Sequence, residues 1–382
     1  MVFKLLGDFF TLVERVRALS IGYEAFCVNC GWRTDNFLFY KCQRCGGVLQ
    51  VKINVEFSED RIVRNDYSMW RYQTFYPYIE EDSIISLGEG LTPLIRFGAN
   101  TYLKLEYMNP TGSFKDRGSS ALISAVKARI GSEDFIAEDS SGNAGASVAA
   151  YAAFAGIRAR IYVPENVSGR KFEQIRAYGA EIIKVSGPRL RVTEEAMKPE
   201  RNKVYVGHVY HPVFRDGIRT LAYELYEQMG RKVLGTIFLP VSAGTLLLGV
   251  VEGFIHLKES GIIEDIPLIV ACQTEQVSPL YHALKGLRYE PPEKVESIAD
   301  ALVSTNPPLL KLMVKRMREI GGDAVIVNDS EILSAYKELA RRGIYVEPSS
   351  AVAYAGYKKY RDKTGNSIII LTGSGLKTSL LT

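Results

Sequence analysis

The chain lacks several things, and each absence removes a class of function. It has no surplus of charge: 47 Lys and Arg against 43 Asp and Glu leave a formal net charge of +4. The two signs are interleaved and form no basic stripe, so no nucleic-acid partner is expected. No apolar run is long enough to cross a membrane, and no signal-peptide pattern appears. The expected compartment is therefore the cytoplasm, with no membrane partner. There is no internal repeat and no low-complexity segment. What remains is an ordinary globular composition, 47% hydrophobic over 382 residues, enough for two or three domains with real cores.

Cysteine is scarce, five in all, but four of the five are clustered. Cys27 and Cys30 form one Cys-x2-Cys pair, and Cys42 and Cys45 form a second. Each such turn presents two thiolates to one ion, which suits tetrahedral zinc. Gly31 and Gly46-Gly47 follow the pairs, where tight knuckle turns need them. A short strand is expected over 36–40. Four thiolates close the coordination shell, so a zinc ion here is structural. The alternative is two redox-active or disulfide pairs. Cys272 lies in an apolar run and reads as an inert buried thiol.

Leu5, Phe9, Leu12, Val13 and Val16 give the N-terminal segment an amphipathic helical pattern, a docking helix against another domain or subunit. Residues 58–90 read as an aromatic, turn-rich connector. From about residue 101 strands and helices alternate. Strands are expected at 102–106, 134–138, 158–163, 181–185, 236–241, 266–272, 344–346 and 367–372. Helices are expected at 114–130, 144–155, 168–178, 246–258 and 330–342. Such alternation predicts an α/β protein with parallel sheets covered by helices.

Candidate chemistry falls at the corners of this pattern. Asn109-Pro110-Thr111-Gly112 is a turn sequence leading into a helix. Ser113 and Asp116 have capping-box spacing, with Ser113 as N-cap. Lys115 then falls in the first helical turn, where the dipole disfavours an ammonium and a neutral amine or imine suits better. Ser140-Ser141-Gly142-Asn143-Ala144-Gly145 follows a strand and opens a helix, a natural anion site. Pro240-Val241-Ser242-Ala243-Gly244-Thr245-Leu246 does the same. Ile368–Leu371 is an apolar strand running into Thr372-Gly373-Ser374-Gly375. His208 and His211 read as core or surface histidines.

The run Asn109–Gly118 is similar to the cofactor-lysine segment of threonine synthases. These belong to the fold type II, tryptophan-synthase-β-like, pyridoxal-phosphate enzymes. The resemblance extends over about residues 25–380 and rests also on the Asn143 loop, the Glu347-Pro348-Ser349-Ser350-Ala351 corner and the Thr372 turn. It implies that Lys115 holds pyridoxal phosphate as a Schiff base and acts as general base and acid. It implies that Asn143 bonds the cofactor's phenolic oxygen and that Thr372 offers a hydroxyl to the pyridine nitrogen. Ser242, Ala243, Gly244, Thr245 and Leu246 match the phosphate cradle, although only Gly244 keeps its glycine. Ser140, Ser141 and Ala144 match the loop that grips the substrate carboxylate. Many synthases have Thr-Ser where this chain has Ala144-Gly145, a departure that removes a hydroxyl. Arg219 is placed to contact a substrate phosphate, or else is a surface arginine.

The implied architecture is two open parallel-sheet α/β domains with an N-terminal zinc-ribbon-like module. The expected divisions are a helix over 1–20, the ribbon over 21–52, a large cofactor domain over 53–115 and 206–382, and a small α/β domain over 116–205. The implied activity is that of a homodimeric carbon–oxygen lyase acting on phosphate, making threonine from O-phosphohomoserine and water. Two alternatives stay open. One is a relative performing β-elimination or β-replacement on serine, threonine or a phosphoserine. The other is a non-catalytic homologue.

Overall fold

The computed structural model describes residues 23–232, 235–363 and 365–378. The N-terminal segment expected to dock as a helix lies outside them. The described chain opens with a small antiparallel sheet in which β1 (Ala25–Cys27) pairs with both β2 (Arg33–Thr34) and β3 (Leu49–Val51). The strand expected at 36–40 is instead a turn. The Asn36 side chain accepts from the Leu38 amide at 2.9 Å, closing an Asx-type turn that competes with extended backbone.

The chain then lays down an antiparallel pair, β4 (Leu94–Gly98) and β5 (Thr101–Lys104), and leaves for a second sheet. That sheet contains β6 (Phe135–Glu138), β7 (Arg158–Pro164), β8 (Glu181–Val185) and β9 (Lys203–Tyr205), all parallel, in the order β8-β7-β6-β9. It returns with β10 (Thr236–Pro240), β11 (Leu268–Thr274), β12 (Asp323–Val327) and β13 (Ser367–Ile370) to complete a six-stranded sheet. The order there is β12-β11-β10-β13-β5-β4. Every pairing in it is parallel except that of the edge strand β4 with β5.

Composition explains the placement. β6, β10 and β13 are buried along their whole length. Continuous apolar runs of this kind fit strands covered on both faces. β4 is only half-buried and takes the edge. No strand forms at 344–346; Val346 makes a single bridge to Ser374. The helix Asn143–Ala155 is rich in alanine and buried from Ala144 to Ala152, so small side chains let it lie close on its neighbours. It ends at Gly156 in the left-handed conformation, φ +70°. Because these sheets are parallel, the loops after β6, β9, β10 and β13 leave from carboxyl ends of strands, where ligand crevices form in open α/β sheets.

Candidate active site

Three of these loops, those after β6, β10 and β13, meet the Glu347 corner around Lys115. The Phe114 amide donates to the Thr372 carbonyl at 3.1 Å, and Ser113 bridges Gly373. The Glu347 amide donates to the Gly373 carbonyl at 2.9 Å, and the Asn143 amide nitrogen donates to Glu347 Oε1 at 2.9 Å. Lys115 Nζ reaches Thr245 Oγ1 at 3.4 Å. The lysine segment, the Asn143 loop, the Glu347 corner, the Thr245 helix start and the Thr372 turn are thus connected in one cluster. Most of it is buried, while Lys115, Ser140–Asn143, Ser242 and Ala243 stay half-buried and form the accessible lining.

Lys115 starts its helix, Lys115–Lys127. Its ammonium lies 4.7 Å from the centre of the Phe114 ring and 5.8 Å from that of Phe214. The stem is reachable from the cleft, but the amino group is desolvated. Burial pulls its pKa down to about 8, against the opposing attraction of Glu138 and Glu347. That is a lysine poised to be a neutral amine near physiological pH. The expected capping box is absent. Phe114 is the N-cap, without a side-chain bond, and Asp116 instead accepts from the Thr111 amide at 2.7 Å and the Thr111 hydroxyl at 2.6 Å. The acid ties the preceding turn to the helix instead of reaching back to Ser113. The Ser113 hydroxyl is buried without a partner.

The cradle after β10 shows what its missing glycines mean. Gly244 has φ +98°, and a Cβ there would overlap the Met313 side chain. None of Ser242, Ala243 or Thr245 has positive φ, so none of them needs to be glycine. Ala243 and Leu246 offer backbone only, since the Leu246 side chain is in the core. Ser242 Oγ accepts from the Ser304 amide at 3.3 Å. The helix Thr245–Glu259 begins here, with its first amides free of helical partners. In the other loop, Ala144 is buried and Gly145 sits against the Ser140 carbonyl, where any Cβ would overlap it.

Arg219 is a correction. It is neither on the surface nor in this cluster. Its guanidinium bonds Asp216 at 2.8 Å, the Phe75 carbonyl at 3.1 Å and His256 Nδ1 at 3.2 Å, and it also bonds the Tyr223 hydroxyl. His256 is eleven residues beyond Thr245 on one helix, which puts it ~16 Å along the axis from the lysine's partner. All of the guanidinium's reach is spent inside the core.

The structure also assembles groups that the sequence reading assigned no role. Glu347 Oε2 lies 3.0 Å from Lys171 Nζ, which also meets Asp300 at 2.9 Å. Glu138, last residue of β6 and fully buried, is gripped by His208 through its amide at 2.9 Å and Nδ1 at 2.7 Å. An acid ending an otherwise apolar strand, Phe135-Ile136-Ala137-Glu138, was the available clue.

The four clustered cysteines converge as well. Their sulfurs all lie within 4.8 Å of one another, with Cys27–Cys45 at 3.5 Å and Cys30–Cys42 at 3.6 Å. A tetrahedral zinc site with ~2.3 Å bonds has sulfur–sulfur edges of ~3.8 Å, so the set fits such an ion. The two knuckles are alike. Gly31 N donates to Cys27 O and Gly46 N to Cys42 O, each at 2.9 Å, and both glycines have φ +69°. The Trp32 amide draws the Cys30 thiol down to about 7, whereas Cys27, pushed by burial, and Cys45, beside its fellow thiols, are raised. None of the five cysteines is in a disulfide. The module docks on the helix Pro212–Ile218: Phe37 O meets His211 Nε2 at 3.2 Å, and Leu49 O accepts from Arg215.

Comparison with known proteins places these features. Residues 85–373 match the family model described as pyridoxal-phosphate dependent enzyme. The threonine synthase of Methanocaldococcus jannaschii is 32% identical over 375 residues, covering 92% of each chain. That of Methanosarcina acetivorans is 32% identical over 381 residues, covering 93% of this chain and 92% of its own. Among solved structures, a fungal L-serine ammonia-lyase from Rhizomucor miehei aligns with a TM-score of 0.65 at 25% identity, covering 76% of this chain and 95% of that one. Maize serine racemase aligns at 0.64 and 25%, covering 76% and 89%. The site suits the cofactor of that family. Gly244 supplies the positive φ of a tight backbone cradle at a helix start, the buried Asn143 Oδ1 is unpartnered, and the lysine amine is desolvated. With that match across most of its length, the chain belongs to the fold type II pyridoxal-phosphate-dependent enzymes, in the group that contains the threonine synthases.

Proposed function

We propose that the chain converts O-phosphohomoserine and water to threonine and phosphate, with Lys115 as its proton-carrying group. The observation that carries this reading is the convergence of Lys115, Asn143, Gly244–Thr245 and Thr372 on one cleft. Pyridoxal phosphate, when bound, supplies the electron acceptance that makes an amino acid's C–H bonds acidic. The rest falls to the chain. The helix start at Thr245, with the hydroxyls of Ser242 and Thr245, holds the phosphate. One N–H of Asn143 is used by Glu347, and the second would be its donor to the cofactor's phenolic oxygen. The Thr372 hydroxyl would serve the pyridine nitrogen without forcing it to protonate. The Ser140–Ala144 loop holds the substrate carboxylate. Lys115 Nζ takes a proton from one substrate carbon and returns it to another, phosphate leaves from Cγ, and water adds at Cβ. In this reading the protein is a cytoplasmic homodimer.

A second reading is favoured by one observation. Arg219 is committed elsewhere, and the charges that act on Lys115 are the acids Glu138 and Glu347. Such a site suits an unphosphorylated hydroxy amino acid undergoing β-elimination. Two assays on one preparation separate the readings: phosphate release from O-phosphohomoserine, and ketoacid formation from threonine or serine. Phosphate release alone supports the first, and ketoacid formation alone replaces it. Both fail if the purified protein shows no visible cofactor band and borohydride fixes nothing to Lys115.

A further inference from the structure

The Asn143 amide has a donor end and an acceptor end, and half a turn of its side chain exchanges them. Its neighbours settle which end goes where. Nδ2 donates to Glu347 Oε1 at 2.9 Å, and a carboxylate can only accept. Oδ1 is therefore turned away from the acid, and Nδ2 keeps one N–H for another acceptor. Glu347 is the N-cap of the helix Pro348–Lys359, yet its side chain accepts from none of that helix's amides. An acid at a helix start ordinarily serves those amides. Here it is drawn off to Asn143, 204 positions away in sequence.

The carboxylate is itself held. Its other oxygen, Oε2, lies 3.0 Å from Lys171 Nζ on the helix Arg170–Ala177, and that ammonium also meets Asp300 at 2.9 Å. Oε1 lies close over Gly373, where any Cβ would overlap it, so only glycine admits the acid there. The first turn of the same helix sets a second residue of the cleft: Ser350 Oγ accepts from the Thr372 amide at 2.7 Å. Asn143 opens the helix after β6 of the four-stranded sheet, and Thr372 follows β13 of the six-stranded one. One helical turn thus aligns groups carried by two sheets.

We propose that Glu347 is a positioning residue for the cofactor: its carboxylate fixes the Asn143 amide so that an N–H, and not Oδ1, is presented to the phenolic oxygen of pyridoxal phosphate, while Lys171 and Asp300 hold the carboxylate in place. The role rests on the family's cofactor and not on which substrate is used. The amide variant shows why an acceptor-only group is needed. In Glu347→Gln the new carbonyl turns to the Lys171 ammonium and the new amino group to Asn143. Asn143 must then offer Oδ1 to that amino group. An acceptor stands where the N–H stood, opposite an ionised phenolic oxygen that needs a donor.

The test titrates the full chain, freed of cofactor, with two probes: pyridoxal phosphate, and 3-deoxypyridoxal phosphate, which lacks the phenolic oxygen. Dissociation constants are read from the spectra of variants whose melting curves show a folded protein. The parent binds pyridoxal phosphate more tightly than the deoxy compound. In Glu347→Gln that preference falls ~tenfold, the weight of one hydrogen bond to a charged group, while binding of the deoxy compound is unchanged. Glu347→Asp keeps the charge but draws it back from Asn143, and it loses the preference as well. In an Asn143→Ala background Glu347→Gln has no further effect on the preference, because the residue it acts through is gone. A parental preference in folded Glu347→Gln or folded Glu347→Asp overturns the proposal. So does an equal loss for both probes, the mark of a merely structural role, or a further loss of preference in the Asn143→Ala background. No substrate enters the titration, so its outcome is separate from that of the proposed reaction.

Discussion

Lys115 is held where its charge is unwelcome. Its pKa in the folded chain is about 8, below that of a free lysine. Below pH 8 the fold therefore carries a desolvated ammonium, and the cost fades as pH rises from 8 toward 10.5. Lys115→Met should then stabilise the cofactor-free protein by about 2–3 kcal/mol at pH 7. The gain should fall to below ~1 kcal/mol by pH 10, and denaturant titrations at the two pH values check both halves. The same substitution should abolish turnover, with a loss of at least ~10³-fold. Gly244 is the complementary case. Gly244→Ala must adopt φ +98° and displace Met313, which should cost ~1–3 kcal/mol. Cofactor affinity, read by spectral titration, should fall with it.

At the scale of the element, the lysine segment, the Asn143 loop and the Thr372 turn were legible because each has an unusual local sequence at a strand or helix boundary. Arg219 was not. Its helical neighbourhood, Asp216-Gly217-Ile218-Arg219-Thr220, has the polarity of a surface turn, and only tertiary packing shows that it is buried. The Glu138–His208 pair was hidden for a related reason: Glu138 ends β6 and His208 follows β9, and a single sequence carries no sign that the two strand ends meet. The Ser113 cap failed because Thr111 competes for the same carboxylate. Local spacing fixes which bonds are available, and packing decides which are made. The Asn143 loop gives a sharp example. Restoring the hydroxyl common in related synthases by Gly145→Ser would drive a Cβ into the Ser140 carbonyl. It should lower both melting temperature and cofactor occupancy and give no gain in turnover.

Across the whole molecule, two buried assemblies join distant parts of the chain. In one, Arg117 bridges Glu106 at 2.6 Å and Glu224 at 2.8 Å, while Lys104 of β5 also pairs with Glu224. Removing one partner from such a buried network leaves an uncompensated charge, so Glu224→Gln should cost ~3–5 kcal/mol in stability. In the other, the cysteine module is fastened to the helix that bears Phe214. Cys27→Ser with Cys45→Ser should remove stoichiometric zinc, read by atomic absorption, and lower the melting temperature. The cofactor band should persist wherever the protein stays folded, since the thiolates take no part in the chemistry. A last consequence follows from β13 lying between β10 and β5, with the Thr372 carbonyl held by the Phe114 amide. The ribosome delivers Lys115 well before Thr372. A nascent chain arrested before residue 367 has every cysteine and the lysine, but neither the middle strand of its main sheet nor the wall of its pocket. Capture of the cofactor must therefore await synthesis of β13, and a chain that loses that strand is left with a sheet open at the centre.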